Sequence, residues 1–111
     1  MEPWRITEEK VQAAIQKIVE VSKPLSIVLF GSYVRGQVGP NSDLDILVVV
    51  NENVKNCRQE SVRIRRALKG ISMPMDILVI PHHKLKQLKH VPGLIYTTAL
   101  REGKIVYEKA A

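Results

Sequence analysis

The chain has 111 residues, of which 45% are hydrophobic and 25% are charged, as in ordinary folded domains. This length suits one hydrophobic core, so we expect a single domain over residues 1–111. No apolar run approaches the roughly 20 residues of a membrane-spanning helix, and the first ten residues do not form a basic segment followed by an apolar one. We therefore expect a cytoplasmic protein without a secretory signal.

The net charge is +6, and the positive excess is concentrated between Val54 and Gly70. That segment holds one acidic residue, Glu60, and six basic residues: Lys55, Arg58, Arg63, Arg65, Arg66 and Lys69. Two interpretations remain open: a solvated helix face, or a surface for an anion such as a nucleotide, a nucleic acid or an acidic partner. Few aromatic residues and no base-reading motif argue against nucleic acid as the primary partner.

The first half of the chain predicts a helix followed by two strands. From Thr7 to Val21 the apolar residues recur at helical spacing, and Thr7 is a suitable N-cap. Leu25 to Phe30 is a short β-rich run that predicts the first strand. Asp43 to Val50 predicts a second strand, buried on both faces because it is almost wholly apolar after its aspartates.

The second half predicts two or three helices that alternate with two strands. The spacing predicts a helix over Val54–Leu68, and Pro74–Ile80 reads as a third strand. The basic segment His82–His90 is a short helix or a loop. Pro92 then starts a helix that Gly103 ends, and Lys104–Glu108 forms an edge strand. This order predicts a layered α and β domain around a mostly buried sheet.

The segment that begins at Gly31 predicts a site for an anion. Glycine lets the backbone approach a ligand closely, and a helical turn starting at Ser32 would present N–H groups and a hydroxyl as donors. Arg35 would add a bidentate phosphate contact about one turn later. Alone, a Gly-Ser pair after a strand is more typical of plain turn chemistry.

Asp43 and Asp45 change that interpretation. Residues two apart on a strand project from the same face, so both carboxylates point toward one region beyond the sheet. Their repulsion would destabilise the strand unless a divalent cation neutralised it, and carboxylates are hard oxygen ligands that suit Mg²⁺. Asp76 is the only charge in the third strand. If that strand neighbours the second, Asp76 completes a three-carboxylate cluster for two metal ions.

The combined pattern resembles the DNA polymerase β-like nucleotidyltransferase superfamily, and within it the minimal nucleotidyltransferases. It consists of "GS", ten intervening residues, "DLD" and a later lone carboxylate on a strand. The "GSYVRG" and "NSDLD" segments and the "LREGKIVYE" ending also resemble the minimal members. The motif residues are Gly31, Ser32, Asp43, Leu44, Asp45 and Asp76.

The resemblance implies an α+β fold with a mixed β-sheet flanked by helices. It also implies transfer of AMP from ATP onto a hydroxyl, with two Mg²⁺ ions. Gly31 and Ser32 would then hold the triphosphate, with Arg35 as a further phosphate contact. Asp43, Asp45 and Asp76 would be the metal ligands and catalytic residues, and Asp76 would also accept the proton of the attacking hydroxyl.

Minimal nucleotidyltransferases commonly pair with a helical HEPN-domain toxin, which they adenylylate as antitoxins. By resemblance we expect a HEPN-domain protein as partner and acceptor. Two alternatives remain open: a module that binds a nucleotide or partner without turnover, and a transferase for a small molecule or an RNA end.

Overall fold

A computed structural model describes residues 5–37, 39 and 42–110. The described residues form four strands and four helices. The strands are β1 Ser26–Phe30, β2 Leu44–Val50, β3 Met75–Pro81 and β4 Lys104–Glu108. The helices are α1 Glu8–Ser22, α2 Cys57–Ala67, α3 His82–Leu88 and α4 Ile95–Glu102.

The strands form one mixed sheet in the order β3-β2-β1-β4. β1 pairs antiparallel with β2 and with β4, whereas β2 pairs parallel with β3 across the connection that contains α2. The predicted α+β fold with a mixed sheet flanked by helices is therefore confirmed, as is the edge position of β4. The parallel β2–β3 pair also meets the condition on which the role of Asp76 depended.

Both faces of the sheet carry buried apolar side chains. In β2, successive apolar residues point to opposite faces. One face packs against α1 and α2, and its fully buried side chains include Ile18, Ile46 and Ile64. The other face packs against α3 and α4 through a smaller cluster that includes Phe30, Leu47 and Leu85. The predicted burial of β2 on both faces is confirmed.

Helix boundaries follow local capping. Thr7 caps α1, since its Oγ1 accepts a hydrogen bond from the Lys10 N–H at 3.2 Å. α2 begins at Cys57, three residues after the predicted start, because the Asn56 side chain accepts from the Gln59 N–H and caps the helix there. The last helix was predicted to start at Pro92 but begins at Ile95 and ends before Gly103, as expected.

No helix within the described ranges combines the length and the apolar character needed to cross a membrane.

Candidate active site

A tight turn follows β1 and carries the Gly31-Ser32 pair. The Arg35 N–H donates to the Gly31 carbonyl at 3.2 Å, and the Gln37 N–H donates to the Ser32 carbonyl at 2.9 Å. Residues 32–34 lie in this turn, and their backbone N–H groups have no hydrogen-bond acceptor within the described part of the chain. Consecutive unpaired N–H groups at the start of a helical turn are suitable donors for a phosphate. The two hydrogen bonds within the turn show that the predicted helical turn is present.

Gly31 lies directly against the carboxylate of Asp45. Its φ of 81° is in the left-handed region, which glycine adopts without a steric penalty. A Cβ atom added at Gly31 would overlap with Oδ2 of Asp45 and lie 3.0 Å from its Cγ. The Gly-Ser turn and the aspartate of the second strand thus belong to one site, and only a residue without a side chain fits between them.

Asp45 and Asp76 face each other across the parallel strands. They are direct partners in the β2–β3 register, so their side chains leave the sheet on the same face. This face also carries Phe30, the register partner of Asp45 on β1, and Leu47, two residues after Asp45 on β2. Asp45 is half-buried, and Asp43, just before β2, is exposed. The two strands therefore place two carboxylates beside the turn.

The electrostatic state of Asp45 shows how close these charges are. Burial raises the pKa of Asp45 above its ordinary value of 3.8, and the negative charges of Asp76 and Asp43 raise it further. The positive charge of Arg35 acts in the opposite direction. The charges of Asp43, Asp76 and Arg35 thus all act on Asp45 at this end of the sheet.

The predicted three-carboxylate cluster does not form one compact group. Within residues 5–37, 39 and 42–110, no three His, Cys, Asp or Glu side chains come close enough together to hold a single metal ion. Asp45 and Asp76 meet, whereas Asp43 precedes the strand and affects Asp45 through its charge. The chemistry of the pair still fits Mg²⁺, because its donors are carboxylate oxygens and a cation would relieve their mutual repulsion.

Asp76 lies at a partly exposed position and forms an ion pair. An unpaired carboxylate in an apolar strand would be costly, but the Asp76 side chain is 54% exposed and lies 3.6 Å from Nη2 of Arg65, measured to Oδ1. The free-energy cost of placing this charge on the strand is low, because water solvates the carboxylate and the guanidinium pairs with it. Arg65 was not singled out from the sequence, where it is one of six basic residues in its segment. Its selection depends on the packing of α2 against β3.

The other predicted residues have simpler environments. Arg35 is exposed, and its Nε donates to Oε1 of Gln37 at 3.1 Å; a phosphate contact remains a prediction. The basic residues of α2 are exposed, and Arg58, Arg63 and Arg66 line a shallow groove of about 670 Å³ around Val62, so both interpretations of this helix stay open. Asn41 of the "NSDLD" segment lies outside the described residues.

Comparison with known proteins gives consistent results. The family model described as "Nucleotidyltransferase domain" matches residues 9–105. A protein of Methanocaldococcus jannaschii named "Putative protein adenylyltransferase" is 35% identical over 63 residues, which are 57% of this chain and 62% of that protein. The chain thus spans less than two thirds of the length of this curated relative.

Solved structures share the fold at low sequence identity. The structure of a toxin-antitoxin with AMP-PNP superposes with a TM-score of 0.59 and 22% identity, covering 94% of this chain and 75% of that one. Spectinomycin adenyltransferase AAD(9) from Enterococcus faecialis, solved with ATP and spectinomycin, superposes with a TM-score of 0.65 and 19% identity, covering 96% and 58%. Both likenesses place the sheet and helices described above in the same fold.

Proposed function

Because the chain belongs to the nucleotidyltransferase domain family, we propose that it transfers AMP from ATP onto a hydroxyl group in the presence of Mg²⁺. The observation that carries this proposal is the meeting of the Gly31 turn with Asp45, opposite Asp76. This arrangement places hydrogen-bond donors for phosphate beside carboxylates that can bind a cation. An in-line displacement at phosphorus requires both.

Each group has a defined task in this reaction. The N–H groups of the turn, together with the Ser32 hydroxyl, hold the phosphates of ATP, and Arg35 adds a positive charge nearby. Asp45 and Asp76 would hold Mg²⁺, with Asp43 as a further carboxylate ligand nearby, and the ion would supply positive charge that offsets the negative charge of the phosphates.

Asp76 also accepts the proton of the attacking hydroxyl. The acceptor oxygen forms a bond to the α-phosphorus, the bond from that phosphorus to the bridging oxygen of the β-phosphate breaks, and pyrophosphate leaves. The acceptor therefore gains one AMP unit for each ATP consumed.

We further propose that the acceptor is a hydroxyl of a partner protein, with a HEPN-domain toxin as the expected partner. Two comparisons support a protein acceptor: the relative named as a protein adenylyltransferase and the likeness to a toxin-antitoxin structure. The exposed basic residues of α2 offer a surface that an acidic region of such a partner would fit.

The test is incubation with ATP labelled on the α-phosphate, Mg²⁺ and one acceptor at a time: a HEPN-domain protein, spectinomycin or RNA. We expect label on the protein, with a mass increase of one or more AMP units. Asp45→Asn and Asp76→Asn should abolish labelling. Glu9→Gln, an exposed acid on α1, is the matched control and should leave it unchanged.

The outcomes separate the proposed activity from its alternatives. Label on spectinomycin or RNA alone would retain the transferase and reject the protein acceptor. If no acceptor is labelled while the aspartate variants still bind and neutralise the partner, the protein acts as a binding module and the proposed reaction is wrong.

A further inference from the structure

Arg65 connects the basic helix to the candidate active site. α2 packs on one face of the sheet through Ile64 and Leu68, and it lies against β3, which has a strand neighbour on one side only. Arg65 follows the buried Ile64 directly, so its side chain extends along the flank of the helix toward the edge of the sheet. Asp76 lies on that edge strand but projects from the opposite face.

Two contacts hold the guanidinium at the strand. Nη2 of Arg65 donates to the carbonyl oxygen of Ile77 at 3.5 Å and lies 3.6 Å from Oδ1 of Asp76. The hydrogen bond to the Ile77 carbonyl anchors the guanidinium beside the Asp76 carboxylate. The Asp76 side chain is nevertheless 54% exposed, so its carboxylate stays accessible to a ligand while Arg65 lies beside it.

The neighbouring basic residue shows that this contact is specific. Arg66 lies one position later on the same helix and is also exposed, but within the described part of the chain its side chain makes no hydrogen bond or ion pair. Replacing either arginine removes one positive charge from α2. Only replacement of Arg65 removes the contact to Asp76, so the pair separates a specific effect from a change in net charge.

We propose that Arg65 is a positioning residue for Asp76. It holds the Asp76 carboxylate beside Asp45, where the two carboxylates would hold a divalent cation. This inference rests on the proposed function, since it gives Asp76 the task of ligand and proton acceptor. Groups that orient a metal ligand without touching the metal commonly control both affinity and rate.

The experiment has two measurements. Mn²⁺ binding is followed by electron paramagnetic resonance in the presence of AMP-PNP. AMP transfer is followed with α-phosphate-labelled ATP and the acceptor that the wild type labels. Arg65→Met should weaken Mn²⁺ binding by about tenfold and lower kcat while leaving the KM for ATP unchanged. Arg65→Lys, which keeps the charge, should restore part of both. Arg66→Met should bind Mn²⁺ as the wild type does, and Arg65→Met should not weaken Mn²⁺ binding further in an Asp76→Asn background.

Each result has one meaning. If Arg65→Met and Arg66→Met bind Mn²⁺ equally well, or if Arg65→Met binds Mn²⁺ more tightly than the wild type, the positioning role is wrong. An effect of Arg65→Met that persists in the Asp76→Asn background would also reject it. If the wild type binds neither Mn²⁺ nor AMP-PNP, the proposed function fails first, and that result is distinct from any difference between the two arginines.

Discussion

Replacement of Gly31 by alanine tests the contact that joins the turn to the second strand. The new Cβ would overlap with Oδ2 of Asp45 and lie 3.0 Å from Cγ, at a backbone φ of 81°. Gly36 provides a matched control, because its φ is 74° and an added Cβ would meet no described atom within 4 Å. The two substitutions share the backbone strain, and only Gly31→Ala adds the collision.

The expected magnitudes follow from these two terms. An L-residue in the left-handed region costs about 1–2 kcal/mol, and the lower entropy of the unfolded alanine chain offsets about 0.4–1 kcal/mol of that. Gly36→Ala should therefore lower the free energy of unfolding by about 1 kcal/mol. Overpacking adds about 1–3 kcal/mol, so Gly31→Ala should lower it by about 2–4 kcal/mol.

Urea denaturation followed by circular dichroism measures both changes. The double variant Gly31→Ala with Asp45→Ala removes Oδ2 and Cγ and leaves the Asp45 Cβ position at 3.4 Å, an ordinary contact. Relative to Asp45→Ala alone, alanine at position 31 should then lower the free energy of unfolding by no more than Gly36→Ala does. If Gly31→Ala is no more destabilising than Gly36→Ala, the close approach to Asp45 is refuted.

Three further predictions concern charge. Because the pKa of Asp45 is raised above 3.8, the folded state binds more protons than the unfolded state just above that pH, and stability falls as pH rises through this window. Asp45→Asn should thus be more stable than the wild type at neutral pH in urea titrations, and this advantage should vanish below pH 3.8; a constant difference would contradict it. Mg²⁺ with AMP-PNP should raise the Tm of the wild type but not of Asp45→Asn or Asp76→Asn, whereas equal shifts would place the cation elsewhere. Association with an acidic partner should weaken as salt is raised, because the basic residues of α2 are exposed, and salt-insensitive binding would exclude that surface.

Much of the fold was predictable because its signals are local. The spacing of apolar residues identified α1, and the β-rich runs identified the strands to within one or two residues. The start of α2 depended on capping. The helix begins only after Asn56, whose side chain accepts from the Gln59 N–H, although the apolar spacing begins earlier. The single-domain organisation of residues 1–111 stays a prediction.

The site was predictable where its residues are close in sequence. Gly31 and Asp45 follow from the motif, since an antiparallel β1–β2 pair returns the chain to the same end of the sheet. The roles of Asp43, Ser32 and Arg35 as ligands stay predictions. The partial exposure of Asp76 was not predicted, because it depends on β3 being an edge strand, which leaves that side chain partly in water.

The sequence by itself determined the elements, the Gly-Ser turn and the acidic residues at the start of β2, because those depend on backbone preferences and on neighbours a few residues apart. Only the tertiary structure decided that β3 lies parallel to β2 with Asp76 opposite Asp45. It alone distinguished Arg65 from the other basic residues of α2. Strand order and helix packing join residues far apart in the chain, and no local pattern encodes which of several similar side chains reaches the site.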